Sequence, residues 1–231
     1  EKIAGNKLRI HRAEGGESFA ALDDKEYKLT EGMTVISDEI AIESLGGIMG
    51  GTQSGCTDET TEVFVEAAFF DPIRTAYTGR ALKINSEARY RFERGIDPNW
   101  TPQGIDAATQ MILDLCGGEV SGVVIAGEMP DHGRSYRLDT DRVQSLVGMK
   151  IAPEVQRKTL AALGFELFGD MVHVPSWRPD VLGEADLVEE VARIASLTKL
   201  EGRPLPRMRF GVPKQILSPM QKREQVARRA V

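Results

Sequence analysis

Two stretches of this 231-residue sequence carry residue types whose spacing could support chemistry. The first begins with the glycine-rich loop Gly46–Gly51 and continues to Glu66, a carboxylate inside the apolar run Thr60–Phe70. Glycine lets a ligand approach the backbone closely because it has no Cβ. A carboxylate that is buried without a partner loses several kcal/mol of hydration. Glu66 is therefore expected to be either a structural anchor or a group that recognises something polar.

The second stretch is a predicted helix with carboxylates at helical spacing. Asp186, Glu189 and Glu190 share a face with Arg193, and Asp180 precedes the helix. Acidic side chains at this spacing repel one another, and a hard cation would relieve the repulsion. A charged stripe is also typical of a solvated helix face with internal ion pairs. The residues alone leave both interpretations open.

The motifs argue against several kinds of active site. The loop Gly46–Gly51 lacks the Lys-Ser/Thr of a P-loop and does not match GxGxxG, and its GXXG match to RNA-binding KH domains is short. We identify no Ser–His or Cys–His pair for nucleophilic catalysis, so no catalytic residue is assigned. His11 has no partner at metal-ligand spacing and is expected on a strand surface. Cys56 and Cys116 form neither a CxxC pair nor a disulfide framework, which favours a reducing cytoplasm.

The composition indicates a folded chain with one large or two ordinary domains, since 41% of the residues are hydrophobic. The formal net charge is -6. This charge argues against broad non-specific binding to nucleic acid, which depends on Lys and Arg neutralising phosphates. No stretch approaches the roughly 20 apolar residues that a membrane helix needs, and we find no signal-peptide pattern.

Strand signals dominate the first part of the chain. Short β-branched runs broken by turn residues predict several strands across residues 8–45. The apolar run Thr60–Phe70 predicts a buried strand, because β-branched and aromatic residues bounded by turns pack on both faces. A further strand is predicted over Glu119–Ile125.

Helix signals follow these strands. Asp71 as an N-cap before Pro72 predicts one helix start, and Ser86 predicts the cap of a second short helix that Gly95 ends. A third helix is predicted over Thr101–Cys116. Residues 71–97 hold six basic and four acidic side chains. This excess indicates either surface ion pairing or a contact with nucleic acid.

Two predicted helices and a hairpin indicate a winged-helix-like unit in the second part. Asp139 or Thr140 caps the first helix and Pro153 opens the second. Alternating runs on either side of Gly169-Asp170 predict a two-residue hairpin. Winged helices often bind DNA. Residues 136–204, however, hold nine Lys or Arg against eleven Asp or Glu, which favours a scaffold role.

These signals together predict an α+β fold, with a mixed-sheet domain followed by a small winged-helix-like domain. The predicted domains are 1–132 and 133–204, and 205–231 is predicted to be a linker and the start of a further domain. The boundary near residue 132 follows a Gly- and Pro-containing, charged stretch.

Several motifs resemble a known family. The loop Gly46–Gly51, the segment Glu66–Pro72 and the segment Arg91–Gly95 resemble the editing region of the bacterial phenylalanyl-tRNA synthetase β subunit. Pro175–Asp180, followed by Glu184–Arg193, resembles the B5 module of that subunit. The motifs occur in the family's order and together cover nearly the whole chain. The chain is therefore expected to be a fragment of such a subunit.

The resemblance implies an editing site in the first domain, which would be a B3/B4-type domain truncated at its N-terminus. Gly50, Glu66, Ser86 and Ala88 match the positions that face the family's editing pocket, where tyrosine wrongly attached to tRNA(Phe) is hydrolysed. Ser86 departs from the family's usual threonine: it keeps the hydroxyl and loses a methyl group. Hydrolysis would then depend on positioning a water molecule and stabilising an oxyanion.

The resemblance also implies a metal, partners and a cellular location. Asp180, Asp186, Glu189 and Glu190 match positions assigned to Mg²⁺ in the family, at a site shared with the α subunit. The parent enzyme would be a cytoplasmic α2β2 phenylalanine-tRNA ligase that uses ATP and tRNA(Phe), and this fragment alone is not expected to aminoacylate. Without the resemblance, a winged-helix nucleic-acid-binding protein and a non-catalytic assembly module remain as alternatives.

Overall fold

The structure is a computed structural model and describes residues 3–202, 204–206 and 217–230. The chain divides into two compact units, residues 1–197 and 198–231. Within the described ranges, no helix combines the length and the apolar character that crossing a membrane requires.

Six strands build the first part of the larger unit. In chain order they are β1 (Arg9–Arg12), β2 (Ser18–Ala20), β3 (Glu26–Lys28), β4 (Thr34–Ser37), β5 (Ile42–Leu45) and β6 (Met49–Gly50). One antiparallel sheet has the order β1-β4-β5-β6, and β2 and β3 form a separate antiparallel pair. The predicted strands across residues 8–45 are confirmed. Their inward side chains form a core that includes Phe19, Leu29, Val35, Leu45 and Ile48.

Three helices follow, and their starts are those that the sequence predicts. They are α1 (Pro72–Leu82), α2 (Glu87–Phe92) and α3 (Thr101–Cys116). The Asp71 side chain accepts a hydrogen bond from the Arg74 amide at 2.7 Å, and Ser86 caps α2 in the same way. Both caps satisfy amides that have no partner inside the helix.

The two later strands predicted in this part are wrong. Residues 61–70 and residues 119–125 contain no strand in the structure. A strand is stable only when its backbone groups pair with a neighbour, and neither run has a partner strand in the described part of the chain. Many of their apolar side chains are exposed instead, as Phe64 at 66% and Val124 at 89% illustrate, whereas Phe70 at the end of the first run is buried.

The second part of the larger unit has the winged-helix-like order that the sequence predicts. Its elements are β7 (Arg134–Arg137), α4 (Asp141–Val147), α5 (Pro153–Ala162), β8 (Glu166–Phe168), β9 (Met171–Val174) and α6 (Glu184–Ala195). The strands form an antiparallel sheet of order β7-β9-β8, and the hairpin at Gly169-Asp170 is confirmed by the pairing of Phe168 with Met171. The apolar stripe of α6 packs into this core through Leu187, Val188 and Val191.

The α+β class is confirmed, and every strand pair in the described ranges is antiparallel. Three short 3-10 turns lie at Ala4–Asn6, Pro98–Trp100 and Leu197–Lys199. The smaller unit contains helix α7 (Pro219–Ala230). Residues 207–216 of the predicted linker lie outside the described residues, and the predicted domain boundaries stay predictions.

Candidate functional site

The glycine-rich loop is the turn between β5 and β6, and it packs against two phenylalanines. A Cβ added at Gly46 would lie 2.7 Å from Phe70 Cε1, and one added at Gly47 would lie 2.9 Å from Phe70 Cδ2. Gly47 also has a φ of +69°, a conformation that glycine adopts without strain. The rings of Phe70 and Phe92 meet edge to face at 5.3 Å. Glycine is therefore required here by close packing as well as by the turn.

Ser86 connects this loop to helix α2. Its hydroxyl donates a hydrogen bond to the Ile48 carbonyl at 2.6 Å and accepts one from the Arg89 amide at 3.1 Å. The Ser86 hydroxyl thus donates a hydrogen bond to the loop and accepts one from the N-terminus of helix α2. Ser86 holds the loop and the helix in a fixed relationship.

Arg89 reinforces the same corner from the other side. Its guanidinium donates to the Ile84 carbonyl at 2.5 Å and to Glu93 at 2.9 Å, and both charged side chains are less than one-fifth exposed. A Cβ at Gly79 of α1 would overlap the Arg89 side chain. Gly79 therefore makes room for the Arg89 side chain, which packs against α1 while its ion pair with Glu93 stays within α2 and its C-cap.

Gly50 and Ala88, two of the predicted pocket residues, lie beside this corner. Gly50 is in β6, two residues after Ile48, and its carbonyl accepts a hydrogen bond from the Leu22 amide at 3.0 Å. Ala88 is exposed in the first turn of α2, two residues after the Ser86 cap. The structure thus joins the loop that leads to Gly50 with the helix that carries Ser86 and Ala88.

Glu66 stands apart from this arrangement. It lies in the run that forms no strand, and it has no hydrogen bond or ion pair within the described residues. Desolvation by surrounding protein raises the pKa of its carboxyl, yet by accessible surface the residue is exposed. Water that reaches the exposed carboxylate screens its charge. The sequence-based expectation that Glu66 is buried in a strand is wrong, while its role in the pocket stays a prediction.

A serine–histidine pair is present, although the sequence analysis identified none. His11 Nδ1 donates to the Arg12 carbonyl at 3.0 Å, so in the neutral ring Nε2 accepts from the Ser37 hydroxyl at 2.9 Å. A second pair lies across β7 and β9, where Ser135 Oγ and His173 Nδ1 are 3.0 Å apart. Recurrence of the pair on two unrelated sheets favours ordinary cross-strand hydrogen bonding. We therefore still assign no catalytic residue.

The predicted carboxylate cluster is organised by an arginine that the sequence analysis missed. Arg178 donates to both oxygens of Asp180, at 2.8 and 2.6 Å, and to Glu190 Oε2 at 2.9 Å. These hydrogen bonds, that to Asp180 first, raise the pKa of Arg178, and the hydrogen bond from Arg178 lowers the pKa of Asp180. The position of Arg178 two residues before Asp180 was the available signal.

Glu190 is the buried member of the cluster, with its side chain 7% exposed. Besides Arg178, it accepts a hydrogen bond from Arg193 Nη2 at 2.6 Å. The hydrogen bonds from Arg178 and then Arg193 lower the pKa of Glu190 to about 2. Two cations therefore compensate a carboxylate that would otherwise be costly to bury.

The other two predicted metal ligands are placed differently. Asp186 accepts a hydrogen bond from the Leu182 amide at 2.7 Å, and Glu189 is exposed. No group of three or more His, Cys, Asp or Glu side chains that could hold a metal ion occurs in the part of the chain that the structure describes. As arranged here, Asp180, Asp186, Glu189 and Glu190 do not fit a bound divalent cation, because Arg178 and Arg193 already neutralise two of them.

Arg134 fixes the loop that carries Arg178. Its guanidinium donates to the carbonyls of Arg178 at 2.8 Å, Pro179 at 3.1 Å and Val181 at 3.0 Å. Three backbone acceptors on one planar donor set restrict the loop conformation. The orientation of Arg178 toward Asp180 and Glu190 is thus set from strand β7.

Two family models match successive parts of the larger unit. Residues 1–117 match the family model of the B3/4 domain. The chain belongs to the B3/4 domain family. Residues 136–196 match the model of the tRNA synthetase B5 domain. The glycine loop, Ser86 and α2 therefore lie in the B3/4 domain, and the Arg178 cluster lies in the B5 domain.

Several curated proteins are similar to the chain along its whole length. The chain is 64% identical over 229 residues to the phenylalanine–tRNA ligase β subunit of Ruegeria pomeroyi, covering 99% of this chain and 29% of that protein. It is 64% identical over 230 residues to that of Cereibacter sphaeroides and 48% identical over 232 residues to that of Paramagnetospirillum magneticum. These matches cover 100% and 99% of this chain, and 28% and 29% of the relatives. The resemblance found in the B3/4 and B5 motifs is confirmed, and the chain spans less than a third of the length of these relatives.

Proposed function

We propose that this chain is the editing and B5 portion of a phenylalanine–tRNA ligase β subunit. The observation that carries the proposal is collinear similarity over the whole chain, at 64% identity over 229 residues, to a protein of that name. The B3/4 and B5 domain matches in the same order support it. The reaction assigned to this portion is hydrolysis of the ester between tyrosine and tRNA(Phe).

The proposed pocket consists of Gly50, Glu66, Ser86 and Ala88. The Ser86 hydroxyl is already engaged by Ile48 and Arg89, so its role is to hold the glycine loop beside α2. Gly50 and Ala88 keep the two walls small. Glu66 has no protein partner in the described residues, which leaves its carboxylate free to accept a hydrogen bond from the tyrosine phenol.

A carboxylate in this role explains how tyrosine could be told from phenylalanine. The two amino acids differ by one hydroxyl group. A site built to hydrogen-bond that group can discriminate by a factor on the order of 10⁴, because phenylalanine leaves the acceptor unpaired. The ester would then be cleaved by a positioned water molecule, with backbone or tRNA groups stabilising the oxyanion.

The parent would be a cytoplasmic α2β2 enzyme that uses ATP and Mg²⁺ to attach phenylalanine to tRNA(Phe). This chain contributes no residue that we assign to that ligation. Mg²⁺ ligation by Asp180, Asp186, Glu189 and Glu190 remains a prediction for the assembled enzyme only. Binding of Mg²⁺ would require Glu190 and Asp180 to lose their hydrogen bonds from Arg178.

The test is deacylation of Tyr-tRNA(Phe) by the full-length α2β2 ligase that contains this segment. Glu66→Ala is expected to reduce hydrolysis sharply while charging with phenylalanine continues. Glu62→Ala is the matched control, since Glu62 is an exposed carboxylate in the same run. If Glu66→Ala clears Tyr-tRNA(Phe) at the parental rate, the pocket assignment is wrong. If the parent ligase itself clears none, the proposed editing function is wrong.

Two other functions are distinguished by their own measurements. A nucleic-acid-binding winged helix would show duplex binding with a steep salt dependence, which the acidic balance of residues 136–204 does not favour. A purely assembling module would bind an α subunit without any effect of Glu66→Ala on hydrolysis.

A further inference from the structure

An open cleft with a volume of about 220 Å³ lies beside the glycine loop. Its lining includes Arg12 of β1, Thr34 of β4 and the segment Phe69–Asp71 that leads into α1. None of these residues belongs to the proposed editing pocket. The cleft combines a cationic side chain with aromatic surface, which is a combination that suits a ligand with both charge and rings.

Arg12 lines this cleft, and the charge of Arg74, which is not one of the lining residues, acts on Arg12. Arg12 donates to the Thr34 hydroxyl, and Arg74 donates to the Gly32 carbonyl at 3.2 Å. Both acceptors are neutral, and neither arginine forms an ion pair within the described ranges. Desolvation and then the nearby Arg74 charge lower the pKa of Arg12. Two like charges held close together by neutral groups leave positive potential available to an external anion.

Among the residues that the structure describes, Asp71 is the one acidic side chain that lines the cleft. Its carboxylate caps helix α1 by accepting the Arg74 amide at 2.7 Å, so part of its charge is compensated by the helix N-terminus. Asp71 also acts on Arg12, since its charge raises the pKa of that group against the two lowering effects. The lining itself holds one arginine and one carboxylate, so a positive excess here depends on the nearby Arg74, on a chain whose net charge is -6.

The cleft shares a wall with the glycine loop. Thr34 Cγ2 lies 3.0 Å, and Phe70 Cε1 2.7 Å, from the position of a Cβ at Gly46. The Thr34 carbonyl also accepts a hydrogen bond from the Gly46 amide at 3.0 Å. A nucleic-acid strand whose end reaches the glycine loop could therefore place a neighbouring nucleotide in the cleft.

We propose that Arg12 in the cleft and the neighbouring Arg74 bind an RNA phosphodiester, and that the half-buried Phe69 ring, which already meets His132 edge to face, stacks on a base with its remaining surface. The inference rests on the proposed function, which brings the esterified end of a tRNA to this domain. Guanidinium groups pair well with phosphate oxygens. Stacking of bases on aromatic side chains is tolerant of sequence, so the site would bind the RNA strand without sequence specificity.

The test uses the full-length α2β2 ligase with Arg12→Gln/Arg74→Gln, and two control variants. Arg80→Gln removes another exposed arginine of helix α1, one that does not line the cleft and is not among the charges that shift the pKa of Arg12. Arg12→Lys/Arg74→Lys keeps both charges. Uncharged tRNA(Phe) is bound to each protein over a series of salt concentrations, and KM and kcat are measured for Tyr-tRNA(Phe) hydrolysis and for charging with phenylalanine.

Each phosphate contact contributes about 0.7 to 0.9 to the slope of log affinity against log salt concentration. The double Gln variant is expected to lose about 1.5 from that slope and to raise KM for hydrolysis about tenfold, with little change in kcat or in charging. The Lys variant should keep the slope, and Arg80→Gln should match the parent.

An unchanged slope and an unchanged KM in the double Gln variant would overturn the proposal. So would an equal loss in Arg80→Gln, because the effect would then be one of general charge. The binding slope does not require hydrolysis. A ligase that binds tRNA through the cleft and yet clears no Tyr-tRNA(Phe) would therefore reject the editing function and leave the cleft assignment standing.

Discussion

The Ser86 hydroxyl donates a 2.6 Å hydrogen bond to the Ile48 carbonyl, joining two segments that are 38 residues apart in the chain. The same oxygen accepts the Arg89 amide at 3.1 Å. One small side chain thus fixes the glycine loop and begins helix α2. Ser86 is predicted to face a ligand pocket, and its hydroxyl forms hydrogen bonds that hold two walls of that pocket together.

Ser86→Ala should destabilise the B3/4 domain by about 1 to 2 kcal/mol, because the change removes an N-cap and leaves the Ile48 carbonyl without its donor. Ser86→Thr keeps the hydroxyl and should remain within about 0.5 kcal/mol of the parent. Urea denaturation measures both. Equal stability of all three proteins would show that the 2.6 Å hydrogen bond contributes nothing to the fold.

Gly46→Ala should destabilise the protein by about 1 to 3 kcal/mol, since the new methyl group would overlap the Phe70 ring and force it to move. Gly122→Ala is the control, because nothing lies within 4 Å of a Cβ at that position. The control should change stability by less than about 0.5 kcal/mol. Thermal unfolding of the two variants side by side decides the matter, and a Gly46 variant as stable as the control would contradict the packing described.

Glu190→Gln should cost about 2 kcal/mol at neutral pH, because Arg178 and Arg193 lose the charge that compensates them. Glu189→Gln removes the neighbouring exposed carboxylate and should be close to neutral. Chemical denaturation at one pH compares them. Similar losses in both variants would mean that burial of Glu190 has no energetic consequence.

The same ion cluster sets a pH dependence. The pKa of Glu190 is lowered from 4.5 to about 2 in the folded chain, so the stabilisation is complete above 4.5 and is lost as the pH falls from 4.5 toward 2. Asp180, whose pKa is also lowered, acts in the same direction. Stability measured from neutral pH down to about 3 should therefore fall less steeply for Glu190→Gln than for the parent. Parallel curves would contradict this account.

Magnesium should not stabilise the chain as it is arranged here. A ligand that binds only the folded state raises the melting temperature, and Arg178 and Arg193 occupy two of the four predicted ligands. Melting in excess MgCl₂ and in excess EDTA should therefore coincide. A rise with Mg²⁺ that Glu189→Gln/Glu190→Gln abolishes would show instead that the carboxylates exchange arginine for metal.

Signals confined to a few neighbouring residues were predicted well from the sequence. Asp71 and Ser86 were identified as caps because a capping side chain acts on an amide three residues ahead. The hairpin at Gly169-Asp170 was identified for the same reason, since two-residue turns have a narrow composition. The residues that determine a helix cap or a tight turn all lie within a few positions of it, so the local sequence is enough to predict it.

Features that depend on distant partners were not predicted. Residues 61–70 have strand composition, but a strand needs a neighbour, and none pairs with them in the described residues. The bond from Ser86 to Ile48 and the reach of Arg178 to Glu190 span 38 and 12 residues. Spacing on one helix suggested a metal among the carboxylates, whereas the cations that meet them are Arg193 of the same helix and Arg178 of the preceding loop.

The stretch from Gly117 to Met129, between the two matched domains, has a consequence for how this chain can vary. Nearly all of it is exposed, and a side chain added at Gly117, Gly118, Gly122 or Gly127 would meet no other atom within 4 Å. Replacements there disturb no packing, but Gly117, Gly118 and Gly127 have φ values of +72°, +104° and +94°, which glycine alone adopts without strain. Drift in sequence can therefore accumulate at the other positions of this stretch, while the glycine loop and the arginine cluster on either side are held by packing and hydrogen bonds. A tag or a cleavage sequence inserted there would meet the same tolerance.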